Sequence, residues 1–220
     1  MTEVNERREF AVDIETADAV LYGDVQLPEG ARGIVLFAHG SGSSRHSPRN
    51  RYVADQLAQG GMGTLLFDLL TSSEENRDRF DASLRFDIGL LTERLVAATR
   101  WLGTQPWAAN LAVGYFGAST GAAAALAASV DCRDLVRAVV SRGGRPDLAG
   151  EALPRVTSPT LLIVGSRDSV VIDLNEQARR LLHRCESRLE IVPGATHLFE
   201  EPGTLEQVAA LALAWFQRWL

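Results

Sequence analysis

The sequence predicts an α/β fold with a mostly parallel sheet of about eight strands. From residue 31 onward, continuous runs rich in Val, Leu and Ile recur, as in strands that are buried on both faces. These runs are GIVLFAHG, GTLLFDLL, LAVGYFGAS, VRAVVSRGG, TLLIVGSRD and RLEIVPGATH. Helical segments separate them, which is the alternation expected of parallel strands with helices on both faces of the sheet.

The first strands differ from the rest. REFAVDIET and AVLYGDVQLP alternate apolar with polar residues and are separated by a brief turn, a pattern typical of an antiparallel hairpin. Helices are predicted at residues 49–60, 83–103, 173–185 and 204–220 and in the alanine-rich run that follows Ser119. Trp215 and Trp219 lie four residues apart in the last helix, where we expect them to pack in the core.

Length and charge limit the function classes. The 220 residues are most simply one domain, 1–220, and the formal net charge of −6 argues against a nucleic-acid or anionic membrane surface. The apolar runs fall short of the roughly 20 residues that a membrane span needs. The start, MTEVNERREF, is polar and lacks the apolar region of a secretion signal, so we expect a cytoplasmic protein. An acidic surface without an exposed apolar run is compatible with a monomer.

No motif indicates a metal or a cofactor. Cys132 and Cys185 form no CxxC pair, and we expect two buried free thiols, a single disulfide being the alternative. No HExxH metal spacing is present, and neither GxGxxG nor a P-loop opens a helix. The sequence therefore predicts chemistry carried by side chains alone.

One serine lies where reactive serines are found. Gly117-Ala118-Ser119-Thr120-Gly121 fits G-x-S-x-G, after an apolar strand and before a helix. A serine at such a sharp turn has strained backbone angles, and small neighbours let the strand and helix pass closely. A plain helix cap is the alternative interpretation.

A serine nucleophile needs a base and a carboxylate, in the chain order Ser, Asp or Glu, His for this kind of fold. Asp168 follows the strand TLLIVGS, and His197 follows the strand RLEIVPG, so both belong at the same sheet edge as Ser119. The alternatives are an Asx turn or helix cap for Asp168 and a histidine satisfied by backbone for His197.

The developing oxyanion needs two backbone donors. We predict the N–H of Thr120 and that of Ser41, with Gly42 as the substitute, and a plain glycine-rich turn as the alternative. His39, at the end of the same strand, is expected to hold a loop by hydrogen bonding.

Two polar loops, residues 41–51 and 71–83, leave carboxyl ends of strands, where ligands bind in open α/β sheets. Gly42, Arg45, His46 and Arg142 are candidate substrate contacts. An anion-binding rim of Arg45, Arg49, Arg51, Arg142 and Arg145 is one hypothesis. Ion pairs with carboxylates such as Asp68, Glu74 or Glu75 are the other.

The motifs HGSGSS, GASTG, VGSRDSVV and GATHLF together resemble the α/β-hydrolase superfamily, in particular its dienelactone-hydrolase-like branch, over nearly the whole chain. The resemblance implies Ser119 as nucleophile, His197 as base, Asp168 as its orienting acid, and Ser41 and Thr120 as oxyanion donors. Dienelactone hydrolases proper carry cysteine at the position of Ser119, so the departure favours a serine esterase.

About a dozen residues separate the strand that ends near Gly144 from the next at Thr160, too few for the cap domain of many α/β-hydrolases. We therefore predict an open site for small esters, cleaved through an acyl-enzyme without cofactor or metal. Thioesterase, lactonase, amidase and acyltransferase chemistry, or a non-catalytic ligand-binding module on the same fold, are the alternatives.

Overall fold

A single eight-stranded sheet runs through the protein in the computed structural model, which describes residues 7–220. Its strands are β1 (Arg7–Glu15), β2 (Val20–Pro28), β3 (Gly33–Ala38), β4 (Gly63–Phe67), β5 (Ala112–Ala118), β6 (Val136–Arg142), β7 (Thr160–Gly165) and β8 (Ser187–Val192). Residues 1–6, on which part of the secretion-signal prediction depends, lie outside the described residues.

The sheet has the order β1-β2-β4-β3-β5-β6-β7-β8. β1 and β2 form the predicted antiparallel hairpin, and β2 also pairs antiparallel with β4. The remaining neighbours are parallel, so the α/β fold with an N-terminal hairpin is confirmed. Because β3 to β8 run in the same direction, all their carboxyl ends lie at one edge of the sheet.

The helices are α1 (Pro48–Gln59), α2 (Ser72–Asp81), α3 (Ile88–Leu102), α4 (Thr120–Asp131), α5 (Ser169–Leu181) and α6 (Thr204–Trp219). One core cluster packs under α1 and α6, and the other packs under α3, α4 and α5. Strand side chains alternate between the two: Leu36 lies in the second cluster, whereas Phe37 lies in the first. Trp215 is buried in the cluster under α1 and α6, as predicted, and Trp219 packs against the same cluster but is only half-buried.

Three boundaries differ from the sequence prediction. The segment 71–83, expected as a loop, contains the helix α2. The Thr71 hydroxyl accepts from the Glu74 N–H, and the Glu74 carboxylate accepts from the Thr71 N–H. This capping box starts a helix that has almost no apolar face. Helix α3 begins at Ile88 and α5 at Ser169, not at residues 83 and 173.

Between β6 and β7 the chain forms only 3-10 turns over Pro146–Arg155, in agreement with the predicted lack of a cap domain at this point. Within residues 7–220, no helix is long and apolar enough to cross a membrane. Both cysteines are free thiols; Cys132 is buried as expected, whereas Cys185 is half-buried.

Candidate active site

The carboxyl edge of the parallel strands brings the candidate residues together. Ser119 directly follows β5, Asp168 lies three residues beyond β7, and His197 lies in the turn between β8 and α6. Ser41 and Thr120 meet at the same edge, since β3 and β5 are adjacent parallel strands. Sheet topology therefore brings residues from four separate regions of the sequence to one edge.

Ser119 has a backbone conformation that is rare for a residue with a side chain, with φ 50° and ψ −120°. Its N–H donates to the carbonyl of Arg142 at 3.2 Å, and its carbonyl accepts from Ala122 at 3.1 Å and from Arg145 at 3.1 Å. Three hydrogen bonds thus hold the strained turn, and the Ser119 side chain makes no cap bond to α4. The helix-cap alternative does not describe this serine.

The glycines on either side of the serine leave no space for a side chain. A Cβ at Gly117 would collide with the backbone of Ala122, at the start of α4. One at Gly121 would collide with the carbonyl of Ala38 and lie 2.5 Å from that of His39. The strand and the helix can pass this closely only because both positions are glycine.

Asp168 and His197 are joined by a short hydrogen bond. Asp168 Oδ2 lies 2.6 Å from His197 Nδ1, with the carboxylate 16% and the imidazole 39% exposed. Asp168 occupies the N-cap position of α5, but its side chain makes no bond to the helix. Its carboxylate therefore binds the imidazole of His197. Asp168 does not act as a helix cap, and the partner of His197 Nδ1 is a carboxylate rather than the backbone.

Gly143 connects the imidazole to the serine turn. It follows Arg142, whose carbonyl accepts from Ser119, and a Cβ at Gly143 would lie 3.6 Å from His197 Cε1. Within residues 7–220, no hydrogen bond joins Ser119 Oγ to the imidazole. Such bonds commonly tighten only when substrate is bound.

The loop after β3 is tied to the serine turn by Thr120. The N–H of Ser41 donates to Thr120 Oγ1 at 3.0 Å, so this predicted oxyanion donor already has a partner. Thr120 is the first residue of α4, where a backbone N–H has no acceptor within the helix. Gly42 comes next to Ser41 with φ +68° and is exposed. The Ser41 N–H must exchange the hydroxyl for substrate if it acts as a donor.

His39 is buried and engaged on both ring nitrogens. Nδ1 lies 3.0 Å from the carbonyl of Gly40, and Nε2 accepts from the N–H of Leu69 at 3.1 Å. Burial lowers the pKa of His39, which favours the neutral ring that this pattern requires, with the proton on Nδ1. The residue connects the ends of β3 and β4, in agreement with the predicted loop-holding role.

A cleft of about 630 Å³ opens beside the serine turn. Gly40 and Ser41 line it where they approach Ser119, and Gly42 and His46 line it further out. His46 is exposed and accepts a weak bond from Arg51 at 3.4 Å. Residues 71–87, which we call the cleft wall, contribute Glu75 from the predicted ligand-binding segment 71–83. They also contribute three lining residues that the sequence analysis did not name, Asp78, Arg79 and Arg85.

The loop arginines are mostly paired. Arg45 binds Asp68 through its guanidinium and its backbone N–H, and it does not line the cleft, so the ion-pair hypothesis describes it. Arg49 pairs with Glu200 at 3.0 Å, and Arg145 pairs with Asp147 at 2.8 Å.

Arg142 differs from the other loop arginines. It is 8% exposed, and no carboxylate within residues 7–220 forms an ion pair with it. Burial, with Arg49 nearby, lowers the pKa of Arg142 to about 10, so the side chain remains charged at neutral pH.

The described part of the chain contains no group of three or more His, Cys, Asp or Glu side chains that could hold a metal ion. The edge presents a hydroxyl, an imidazole and a carboxylate, on Ser119, His197 and Asp168. This set, at a strained turn with a helix N-terminus behind it, can carry out acyl transfer.

Comparison with known proteins identifies the family. The sequence profile described as "Dienelactone hydrolase family" matches residues 18–219, nearly the whole chain. The chain belongs to the dienelactone hydrolase family. A crystal structure of a dienelactone hydrolase from Anabaena variabilis is similar to it, with 57% identity and a TM-score of 0.95 over 97% of this chain and 99% of that one.

Two sequences from strains of Mycobacterium tuberculosis bear another name. Both are called putative phosphoribosyl transferase, and each is 60% identical over 210 residues. The match covers 95% of this chain but 46% of each relative, so the chain spans about half their length.

An esterase from Pyrococcus furiosus has the same fold, with a TM-score of 0.75 at 18% identity over 96% of this chain and 91% of that one. A dienelactone hydrolase-like promiscuous phosphotriesterase from metagenomic libraries has a TM-score of 0.76, also at 18% identity, over 97% and 98%. At this identity the two neighbours show the fold of the chain, whereas its family is shown by the sequence profile.

Proposed function

We propose that this member of the dienelactone hydrolase family is a serine hydrolase that cleaves carboxylic esters of small substrates through an acyl-enzyme. The observation that carries the proposal is the conformation of Ser119, φ 50° and ψ −120°, between two glycines that have no space for a side chain. Strain of this kind in a residue other than glycine persists where function requires it.

In the first half-reaction, Ser119 Oγ attacks the ester carbonyl carbon while His197 Nε2 accepts the hydroxyl proton. Asp168 holds the ring through Nδ1 at 2.6 Å, which keeps Nε2 free to accept. The tetrahedral oxyanion is stabilised by the N–H of Thr120 and by that of Ser41 or Gly42. His197 then gives its proton to the departing alcohol, and the acyl group remains on the serine.

In the second half-reaction, water attacks the acyl-enzyme and His197 accepts a proton from it. Collapse of the second tetrahedral intermediate releases the acid and restores the serine hydroxyl. An open cleft with polar lining, and only 3-10 turns between β6 and β7, fit small or solvent-facing esters rather than long acyl chains.

The transferase name of the mycobacterial relatives does not change this proposal. It describes proteins of which the chain covers 46%, whereas the hydrolase family covers residues 18–219 of this chain. Ser119, His197 and Asp168 could cleave thioesters and lactones by the same steps, because the rim of the pocket selects the leaving group.

The test is labelling with a fluorophosphonate, followed by mass spectrometry to locate the adduct. We expect the adduct on Ser119 and none in Ser119→Ala, whose kcat on p-nitrophenyl acetate should fall by about 10⁴ to 10⁶. Ser44→Ala is the matched control, since Ser44 lines the cleft but is not one of the three proposed catalytic residues. Undiminished labelling or activity in Ser119→Ala would overturn the proposal.

A further inference from the structure

A buried amide on α5 has an unusual set of hydrogen bonds. Asn175 is fully buried, and its Nδ2 donates to the carbonyl of Gly144 at 3.0 Å and to that of Val171 at 2.8 Å. Its Oδ1 is also buried and has no partner within residues 7–220. Nearly all buried polar atoms in folded proteins have a partner, so an amide that is only half-satisfied requires an explanation.

An apolar side chain of similar size would avoid the cost of the unsatisfied oxygen. The other buried side chains of α5, Val171 and Ala178, are apolar. What a leucine at this position could not supply is the donation from Nδ2. The bond to Gly144 is the one that leaves α5, so the role of the amide depends on what this glycine contacts.

The acceptor glycine is the centre of a short segment, residues 143–145, which we call the glycine strap. At one end of the strap, the N–H of Arg145 donates to the carbonyl of Ser119 at 3.1 Å. At the other end, a Cβ at Gly143 would lie 3.6 Å from His197 Cε1 and 3.1 Å from the His197 carbonyl. The strap therefore contacts both the serine turn and the residue that carries the imidazole.

The strap packs tightly against α4. A Cβ at Gly144 would lie 2.6 Å from the Cβ of Ala122, in the first turn of that helix, and would collide with the hydroxyl of Ser141. This contact blocks movement of the strap toward α4. The bond from Asn175 restrains movement in the opposite sense, so the amide fixes where the strap lies.

The same amide lies on the helix that carries the carboxylate. Asp168 is the N-cap residue of α5, and Val171, the second acceptor of the Asn175 amide, lies in the first turn of this helix. The two bonds of Nδ2 therefore connect the start of α5 to the strap. Through these bonds, the positions of Asp168, His197 and Ser119 depend on one side chain.

We propose that Asn175 is a positioning residue for the hydrolysis, which couples the helix that carries Asp168 to the turn that carries Ser119. Asn175 is fully buried and acts through the glycine strap, without contact to substrate. It fixes the distance over which His197 must accept the serine proton. A displacement of about 1 Å in such a geometry can lower the rate about a hundredfold. This inference rests on the proposed ester hydrolysis.

The first test is Asn175→Leu, which keeps a buried side chain of similar size and removes the donor. With p-nitrophenyl acetate, kcat should fall by about tenfold to a hundredfold, because both half-reactions use the same imidazole. KM should stay within roughly twofold of the wild type, because the cleft is unchanged. A merely structural role would lower the melting temperature and leave kcat of the folded protein in place.

Thr99→Val is the matched control for the loss of a buried hydrogen bond. Thr99 is 1% exposed, and its hydroxyl donates to the carbonyl of Leu95 at 2.8 Å, in the helix α3. This variant should lower the melting temperature and keep the wild-type kcat. Equal kcat values in folded Asn175→Leu and Thr99→Val would overturn the positioning role.

Asn175→Asp tests the donated bond itself. A buried carboxyl can donate to Gly144 only while it is protonated, and the ionised form would repel the carbonyl. Arg145 and Asp147, the charged groups that follow this glycine, bind each other at 2.8 Å. The ratio of kcat in this variant to kcat in the wild type should therefore rise about tenfold from pH 8.5 to pH 6. Thermal unfolding at each pH verifies that both proteins are folded, and a low ratio that does not change with pH would contradict the proposal.

The positioning role and the hydrolysis fail in different ways. Activity that survives in Ser119→Ala contradicts the hydrolysis. Wild-type kcat in Asn175→Leu, beside an inactive Ser119→Ala, contradicts only the positioning role. Glu176→Gln changes the next residue of α5, which is exposed, and should keep kcat, KM and the pH dependence of the wild type. If Asn175→Leu does not fold, the pH series of Asn175→Asp decides.

Discussion

Ser119 is positioned by backbone, whereas the cleft wall, residues 71–87, is positioned by side chains. Ser119 is fixed by three main-chain hydrogen bonds and by glycines that admit no Cβ. In the wall, Asp78 alone accepts from the N–H groups of Leu84 and Arg85 and from Arg85 Nε.

This difference has consequences for substitution. We call Ser119, Asp168 and His197 the triad edge, after the catalytic role proposed for them above. At the triad edge, a side chain can change while the backbone that presents it stays in place. In the wall, the side chains are the connection, so removing one loosens the segment. Substitutions at the triad edge should therefore affect activity far more than stability, and those in the wall should do the reverse.

The largest expected effect is that of Asp168→Asn. The amide cannot hold the imidazole with Nε2 as acceptor, so kcat for ester hydrolysis should fall by about 10⁴. The free energy of unfolding should change by about 1 kcal/mol or less, because the pair is partly exposed. Initial rates with p-nitrophenyl acetate and urea unfolding measure the two quantities.

Asp173→Asn is the control for this substitution, since Asp173 lies in α5 with an exposed side chain. It should leave both quantities unchanged. Comparable activity of the Asp168 and Asp173 variants would remove the aspartate from the mechanism, and a large loss of stability in Asp168→Asn would contradict the contrast between the two regions.

The triad edge could be predicted because strand ends can be recognised in the sequence. Apolar runs locate β5 and β7, and parallel pairing then brings the residues just after these strands to one edge. The hydrogen bond from the Ser41 N–H to Thr120 Oγ1 could not be predicted, since it joins backbone to side chain across 79 positions. Nor could the sequence show that Arg142 has no carboxylate partner within residues 7–220, because this depends on every neighbour in space.

The helix in the cleft wall was not predicted for a different reason, although residues 71–83 were predicted to lie where ligands bind. Residues 72–81 have no apolar stripe, which was the signal used for helices. A sequence signal was nevertheless present: Thr71 followed three residues later by Glu74 is a capping box. The helix α2 depends on this cap, on the ion pair of Glu74 with Arg94 in α3 and on that of Asp78 with Arg85. Its stability therefore comes from contacts that hydrophobic periodicity does not report.

Glu74→Gln tests this dependence on side chains. Glutamine can keep the bond to the Thr71 N–H, but it removes the charge that faces Arg94, a side chain that is 3% exposed. The remaining partner, Asp18, is 66% exposed. We expect the free energy of unfolding to fall by about 1–3 kcal/mol, measured by urea unfolding, and kcat to fall less than in Asp168→Asn.

Glu75→Gln is the neighbouring control. Burial, with Asp68 nearby, raises the pKa of Glu75. The negative charge of Glu75 therefore does not stabilise the folded protein. Its amide variant should be as stable as the wild type at pH 7.5 or slightly more so. Equal destabilisation by both substitutions would mean that the wall does not depend on the Arg94 ion pair.

The smallest expected effect is a dependence of stability on pH that comes from His39, whose Nε2 accepts from Leu69, just before the wall begins. Its pKa in the folded protein is lowered by burial, so below about pH 6.5 the unfolded chain binds more protons at this residue than the folded one. The stability of the wild type should therefore fall on acidification from this pH, by at most ~1.4 kcal/mol per pH unit from this group.

His39→Asn should cost about 1–3 kcal/mol at pH 7.5, since Leu69 loses its acceptor, and should flatten the slope between pH 6.5 and 5. Urea midpoints across this range measure the slope, with His183→Asn as the control, because His183 is exposed and its variant should keep the wild-type slope. An unaltered slope in His39→Asn would mean that His39 is not a buried neutral group at the ends of β3 and β4.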